Sequence, residues 1–208
     1  MLDKIRAILI LKKTFNYINN RRKYKIILYN KKTQKKLGLN IFDYKRISGK
    51  YIEKFSYETR EYNSYNNNIV FEGNYLNGKR NGEGKEYNEN ENLIFTGEYL
   101  NGKRNGRGKE YNNTGELIFE GEYLNGKRNG EGKEYKYGKL IFEGEYLNDE
   151  KNGRGKDYYE NGILKFDGNY LNGQKNGKGK EYYKNGKLEF EGEYLNGERN
   201  GKAKEYNK

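Results

Sequence analysis

The chain contains no histidine and no cysteine among its 208 residues. Without cysteine it has no disulfide bonds and no thiolate metal site. The usual neutral-pH base and the thiol nucleophile are also missing, and these groups carry much of enzyme catalysis. Of the three serines, Ser48, Ser56 and Ser64, none lies in a Gly-x-Ser-x-Gly motif. The sequence therefore predicts a protein that is not an enzyme, with no cofactor and no metal site.

Long apolar stretches are also missing. No run of apolar residues approaches the ~20 that a membrane-spanning helix needs. The stretch at residues 7–11 is too short for the core of a signal peptide, and no small-residue cleavage site follows it. We therefore expect a cytoplasmic protein, with association at a membrane surface as the alternative.

Positive charge is in excess only at the start of the chain. Residues 1–46 hold fourteen Lys and Arg against Asp3 and Asp43, whereas residues 47–208 hold 28 basic and 28 acidic residues. The neutral balance of residues 47–208 argues against a polybasic surface for lipid or nucleic acid in that part of the chain.

One block, Phe-x-Gly-x-Tyr-Leu-Asn-x-x-x-Asn-Gly-x-x-Lys, recurs six times at spacings of 24, 24, 23, 24 and 24 residues. Its copies open at Phe71, Phe95, Phe119, Phe142, Phe166 and Phe190. A fixed period in this range is typical of stacked-repeat proteins. Such an array offers an extended surface rather than a single pocket, so binding is the default expectation for its function.

Each copy has the pattern of a β-hairpin. Residues 119–124 alternate, with Phe119, Gly121 and Tyr123 on one face. Asn125-Gly126 is the strongest short signal for a tight turn between strands, and residues 132–135 form the return strand. The 23 tyrosines supply packing volume that the few aliphatic residues do not.

Glu120 and Glu122 recur along an open face, so we expect them to pair with lysines such as Lys133 across the strands.

The recurring glycine between the two aromatic residues predicts a position where a neighbouring ring lies on bare backbone. We assign this structural role to Gly73, Gly97, Gly121, Gly144, Gly168 and Gly192. The curved sheet is expected to present its aromatic–glycine face as a groove, with tyrosines as candidate anchors for a partner. These candidates are Tyr75, Tyr99, Tyr123, Tyr146, Tyr170 and Tyr194. The alternative for each ring is packing within the sheet.

The segment from Phe119 to Tyr135, FEGEYLNGKRNGEGKEY, resembles a MORN (membrane occupation and recognition nexus) repeat. The resemblance covers Phe71 to about Tyr206. It implies a scaffold that binds proteins, and the family name also suggests a membrane surface. Asn81, Asn105, Asn129, Asn152, Asn176 and Asn200 stand where many members carry histidine. The return strand Lys-Glu-Tyr is closer to a variant branch of the family.

Three domains follow from these patterns. Residues 1–46 are a basic helical segment, residues 47–70 are a degenerate first repeat, and residues 71–208 are six hairpin repeats. In the degenerate copy, residues 48–52 correspond to the first strand and residues 60–62 to the return strand. The fold class is mainly β: an elongated, single-layer antiparallel sheet of stacked hairpins, preceded by a short α-helical segment.

The N-terminal segment allows three interpretations. Its apolar residues fall mostly three or four apart with basic residues between them, which predicts an amphipathic helix before Asn19 and a second helix from Arg21 to Leu37. These helices could cap the first hairpin, lie on an anionic membrane, or form an adaptor, because residues 11–18 faintly resemble the opening of an F-box. The candidate basic contacts are Arg21, Arg22, Lys23 and Lys25. Nucleic acid is not the expected partner, because no recognition motif accompanies them.

We therefore predict a non-enzymatic scaffold that binds an unidentified protein. Peripheral association with anionic phospholipid, chiefly through residues 1–46, is one alternative, and an adaptor or targeting subunit is another. The sequence leaves a homodimer open.

Overall fold

The computed structural model describes residues 50–54, 59–63 and 65–207. The predicted helices, the F-box-like stretch and the basic contacts Arg21, Arg22, Lys23 and Lys25 lie outside the described residues. All regular structure within the described residues is β, in fourteen strands. The strands are β1 (Lys50–Lys54), β2 (Thr59–Asn63), β3 (Ile69–Leu76), β4 (Lys79–Tyr87), β5 (Leu93–Leu100), β6 (Lys103–Tyr111), β7 (Leu117–Leu124), β8 (Lys127–Lys136), β9 (Lys139–Leu147), β10 (Glu150–Tyr158), β11 (Leu164–Leu171), β12 (Gln174–Tyr182), β13 (Leu188–Leu195) and β14 (Glu198–Glu205).

The chain divides into two units between Phe71 and Glu72. In the first unit, β1 and β2 pair antiparallel, and the rings of Tyr51 and Tyr62 stack at 4.9 Å between centroids. These strands lie where the sequence predicts the degenerate first repeat. The strand β3 begins in the first unit and continues into the second.

In the second unit, the strands from β4 to β14 pair antiparallel in sequence order. Each strand contacts chiefly its neighbours in sequence, so the hairpins continue one another as a meander. The prediction of a mainly β fold built from stacked antiparallel hairpins is confirmed.

The first Asn-Gly of each repeat forms the hairpin turn. Asn125 and Gly126 have φ angles of 54° and 92°, the positive pair that a type I′ turn requires. In the fourth repeat Asn148 and Asp149 adopt φ angles of 54° and 78°, so Asp replaces the glycine without changing the turn. The Gly126 N–H donates to the Arg104 carbonyl of the preceding repeat at 2.8 Å, which joins adjacent hairpins at their turns.

The second Asn-Gly of the repeat lies in a β-bulge. Gly97 faces Gly108 and Tyr99 faces Arg104, so residues 105–107 lie opposite Glu98 alone. Gly106 takes up the extra length with a φ of 88°. The Glu98 carboxylate accepts a hydrogen bond from the Arg107 N–H at 3.0 Å. Repeated bulges of this kind bend the return strands, and carboxylates on the opposing strand satisfy the amides they release.

The core is a single ladder of aromatic rings. Phe95 and Phe119 are fully buried, as is the phenylalanine that opens each other repeat of the second unit. The Phe95 ring meets Tyr99 edge-on at 5.6 Å and Tyr123 of the next repeat at 5.2 Å. Edge-on pairs at this spacing are favourable. The Phe95 ring therefore stabilises its own repeat through Tyr99 and joins it to the next repeat through Tyr123.

Candidate functional site

Strand alternation gives the second unit two chemically different faces. The aromatic face carries the residues equivalent to Phe119, Gly121 and Tyr123. The groove face carries those equivalent to Glu120 and Glu122. The two faces differ in what covers them, and this difference decides which one is open to a partner.

The tyrosines of the aromatic face are interior residues. Tyr75 is half-buried, and the other five candidate anchors are between 3% and 6% exposed: Tyr99, Tyr123, Tyr146, Tyr170 and Tyr194. This corrects the expectation that the aromatic–glycine face is an open groove lined by tyrosines. The rings are covered because they pack edge-on against phenylalanines and because charged side chains lie over them. Packing within the sheet, the alternative given above, describes their environment.

The covering charges form a cation–carboxylate layer over the phenylalanine rings. The Arg104 guanidinium lies 4.0 Å from the Phe95 ring centroid, within cation–π distance. The same guanidinium pairs with Glu86 at 2.6 Å and with Glu110 at 3.3 Å. The equivalent cations in later repeats lie over their own phenylalanines: Arg128, Lys151, Lys175 and Arg199. The Arg or Lys that recurs four residues after the strand-ending leucine of each repeat is the sequence signal for this layer, and the predictions above did not include it.

Electrostatics fix the charge states in this layer. Burial alone would raise the pKa of the Glu110 carboxyl, but hydrogen bonds from Arg128 and Tyr123, with the charges of Arg128 and Arg104, lower it overall. Burial, reinforced by Glu110, raises the pKa of Tyr123. The Tyr123 hydroxyl donates to Glu110 at 2.8 Å. Tyr123 therefore stays neutral and Glu110 stays ionised around neutral pH.

The groove face is open. Two adjoining cavities of about 1040 and 630 Å³ lie along it and share Arg154 and Asp167 in their walls. Together they form one groove, which extends from Glu83 on β4 to Lys204 on β14. Its floor is backbone at the paired glycines, whose Cβ positions point toward the aromatic face. These glycines are Gly97, Gly108, Gly121, Gly132, Gly144, Gly155, Gly168, Gly179 and Gly192.

One wall of the groove consists of carboxylates and lysines that alternate from strand to strand. Lys109 pairs with Glu120 at 3.4 Å, and Lys180 pairs with Glu191 at 3.1 Å. Glu120 also lies directly opposite Lys133, the predicted cross-strand partner. The repeated lysines therefore alternate with carboxylates and do not form a basic stripe.

The whole lining changes charge along its length. The larger cavity, toward β4, has seven carboxylates and five basic side chains, whereas the smaller one, toward β14, has three carboxylates and five basic side chains. In the wall nearer the turns, Glu122, Glu131 and Glu145 belong to the acidic part, and Lys178 and Lys202 belong to the basic part. The groove therefore has a net acidic end toward β4 and a net basic end toward β14.

Tyrosines of the return strands border the same face. The Tyr135 hydroxyl donates to Glu120 at 2.6 Å, and Tyr158 donates to Glu143 at the same distance. Both rings are half-buried, unlike the fully covered tyrosines of the aromatic face. These residues were not among the predicted contacts, although Lys-Glu-Tyr, or Lys-Asp-Tyr at Tyr158, recurs in the return strands and could have indicated them.

Five of the predicted structural glycines, from Gly97 to Gly192, lie beneath rings and close to backbone. A Cβ added to Gly121 would be 2.6 Å from the Glu131 carbonyl oxygen and 2.8 Å from Phe119 Cζ. Gly97, Gly144, Gly168 and Gly192 show comparable approaches. At these positions adjacent strands and a ring leave no room for a side chain.

Within the described ranges, no group of three or more carboxylates is arranged to hold a metal ion. The same part of the chain contains no helix that could cross a membrane.

A family model of the MORN repeat matches six segments of the chain: residues 71–92, 95–116, 119–138, 142–163, 166–187 and 190–207. A search of curated proteins found no match. The six matched segments cover more than half of the chain and coincide with the hairpins described above. The period, the turn and bulge glycines and the aromatic ladder agree with this match, and the chain belongs to the MORN repeat family.

Proposed function

We propose that this protein is a non-enzymatic scaffold that binds a segment of another protein along the groove face. The observation that supports this proposal is the continuous groove, which has a backbone floor and two charged walls. Repeat proteins commonly use such extended surfaces for binding, because each repeat adds one equivalent set of contacts.

The charge of the groove favours a protein over a polyanion. A phosphate-rich ligand would meet seven carboxylates in the larger cavity, and lysines such as Lys109 already pair with carboxylates there. A protein segment carries both signs of charge and can complement the groove. The best match is a segment with basic residues toward β4 and acidic residues toward β14, so the groove also sets the direction of binding.

The floor of the groove supplies room, and its border supplies anchoring surface. Because strand alternation directs the side chains of the floor positions toward the aromatic face, a partner can approach the backbone of the sheet closely from the groove. The half-buried Tyr135 and Tyr158 present ring surface beside this floor. Tyrosine is frequent at the centres of protein interfaces, so this arrangement suits capture of a peptide.

The test uses the full-length protein with a charge-reversed groove. Glu83 and Glu131 are exposed and line the acidic part of the groove. Peptides selected from a random display library on the wild-type protein should bind at least tenfold more weakly to the variant Glu83→Lys/Glu131→Lys. The matched control is Glu116→Lys/Glu160→Lys, which makes the same net charge change at exposed loop positions outside the groove. The control should bind like the wild type.

Binding of the groove variant at the wild-type level would contradict a groove site, as would a library that yields no binder. An equal loss of binding in the groove variant and the control would also contradict it, because net charge alone would then explain the effect. Hydrogen exchange on a selected complex gives an independent readout, because protection should follow the strands under the groove.

The alternatives that depend on residues 1–46 stay predictions, since those residues lie outside the described part of the chain. They are binding to anionic membranes and the adaptor role. The cytoplasmic location, with membrane association as its alternative, also stays a prediction.

A further inference from the structure

Six leucines form a regular exposed row in the second unit. Each ends the strand before a type I′ turn, and each is between 49% and 58% exposed: Leu76, Leu100, Leu124, Leu147, Leu171 and Leu195. Strand alternation places this row, here called the leucine edge, on the groove face beside the turns. Neither the groove lining nor the aromatic ladder includes these side chains. An apolar residue repeated at the same exposed position in every hairpin requires an explanation.

The residue opposite each leucine changes sign at the middle of the array. Leu100 faces Lys103 and Leu124 faces Lys127, whereas Leu147 faces Glu150 and Leu195 faces Glu198. In repeat order, the six residues that follow the turns are Lys79, Lys103, Lys127, Glu150, Gln174 and Glu198. The series is basic in the first three repeats and acidic or neutral in the last three. About the point between Leu124 and Leu147 it is antisymmetric in two of its three mirrored pairs, and the third sets Lys103 against the neutral Gln174.

These charges are available for a partner. All six residues after the turns are exposed. Within the part of the chain that the structure describes, none of the five charged ones forms an ion pair. This distinguishes them from the lysines of the groove wall, which pair with carboxylates of the same sheet.

We infer that the leucine edge binds a second copy of this chain in antiparallel orientation. A two-fold axis through the midpoint of the edge brings Leu124 of one copy to Leu147 of the other. The remaining leucines are brought together in the same way, Leu100 with Leu171 and Leu76 with Leu195. Such an isologous interface uses the same surface on both copies and closes after two.

The antisymmetric charges select this orientation. In the antiparallel pair, Lys127 meets Glu150, Lys103 meets Gln174 and Lys79 meets Glu198, each contact occurring twice. A parallel pair would place Lys103 against Lys103 and Glu198 against Glu198. Complementary rims chiefly determine specificity and orientation, while the leucines supply the apolar area that leaves water.

The association state of the full-length protein tests the inference. Sedimentation equilibrium should show a mass twice the 24.6 kDa of one chain at micromolar concentrations. An acidic variant, Lys79→Glu/Lys103→Glu/Lys127→Glu, should raise the dissociation constant at least tenfold, because every turn then carries a like or neutral charge. A basic variant, Glu150→Lys/Gln174→Lys/Glu198→Lys, should do the same. Mixing the two variants should restore the dimer.

Orientation is tested with introduced cysteines, because the chain has none of its own. Lys103→Cys mixed with Gln174→Cys should form a disulfide-linked dimer under mild oxidation, and Lys103→Cys alone should not. All changes in both sets are at exposed positions, and circular dichroism verifies that each variant keeps its strands. A monomer at all concentrations up to about 200 µM would overturn the inference. So would a dimer that persists in both charge variants, or cross-linking of Lys103→Cys to itself.

Discussion

The ring of Phe119 occupies the space beside Gly132 that any larger residue would need for its side chain. A Cβ added to Gly132 would lie 2.6 Å from Phe119 Cζ and 3.1 Å from Tyr146 Cδ2. The Phe119 and Tyr146 rings meet edge-on at 5.2 Å between centroids. One glycine thus accommodates rings from two successive repeats, which makes it a sensitive position for stability.

Gly132→Ala should therefore lower the free energy of unfolding by about 1–3 kcal/mol, the usual cost of overpacking. Urea denaturation monitored by circular dichroism measures this change. Glu131→Ala is the matched control, because Glu131 is the adjacent residue on the opposite face and is exposed. The control should change stability by no more than about 0.5 kcal/mol. Equal effects of the two substitutions would contradict the assignment of the faces.

Arg128 should be the most informative residue of the cation–carboxylate layer. Its guanidinium lies 4.0 Å from the Phe119 centroid and pairs with Glu110 at 2.6 Å. Arg128→Ala uncovers the ring and leaves a part-buried carboxylate with weaker partners, so unfolding should become easier by about 1–3 kcal/mol. Arg128→Lys should retain most of the stability, because Lys151 lies over Phe142 at 3.7 Å in the next repeat. Thermal unfolding of both variants measures whether a positive charge at this position is sufficient. An equal loss of stability in the two variants would show that the layer requires the arginine guanidinium itself.

The hairpins could be predicted because their signals are local. Alternation over residues 119–124 gives a strand, and Asn125-Gly126 favours a type I′ turn, which suits the twist of the paired strands. The structure has β7 ending at Leu124 and β8 beginning at Lys127, as this pattern requires. The repetition of the pattern then orders the strands, because each hairpin has the same neighbours.

The open face could not be predicted from the same signals. Alternation places Tyr123 and Glu122 on different faces of the sheet. The burial of Tyr123, however, depends on Phe95 and Glu110 of the preceding repeat. These contacts join residues far apart in sequence, and no local pattern specifies them. The groove lies over the strand backbone between two rows of charged side chains, Glu120 with Lys133 and Glu122 with Glu131. The sequence shows the alternation along each strand, and only the register between strands shows that these rows continue from one hairpin to the next.

Alkaline pH should destabilise the protein through Tyr135. Burial and the hydrogen bond to Glu120 raise the pKa of Tyr135 from 10.0 to about 12. In the unfolded chain this hydroxyl ionises near its ordinary pKa, so its contribution to stability is complete below pH 10 and is lost as the pH rises toward 12. Urea denaturation across this range should show a shallower decline for Tyr135→Phe than for the wild type. Tyr137→Phe is the control, because that ring is 74% exposed. The control should decline like the wild type, and identical slopes for all three proteins would refute the role of Tyr135.

Removing one whole repeat should leave a folded protein. Deletion of residues 119–141 joins Ile118 to Phe142 and preserves the Leu-Ile-Phe order and the strand alternation. Strands contact chiefly their neighbours in sequence, so stability is nearly a sum over adjacent repeats. Circular dichroism should show the same β signature per residue and a cooperative transition at a lower temperature. A spectrum typical of an unfolded chain would indicate long-range contacts that the sheet does not show.

Binding to polyanions, if measured, should depend on residues 1–46. All net positive charge lies there, whereas the 28 basic and 28 acidic residues of 47–208 cancel. The ion pairs of the groove wall, such as Lys109 with Glu120, interleave the two signs within the sheet. Binding of the full chain to anionic vesicles should therefore weaken steeply with salt, because each basic contact releases counterions. Vesicle sedimentation compares the full chain with residues 47–208, whose folding is first verified by circular dichroism. Equal binding by the truncated and full-length proteins would place the anionic-lipid surface on the repeats instead.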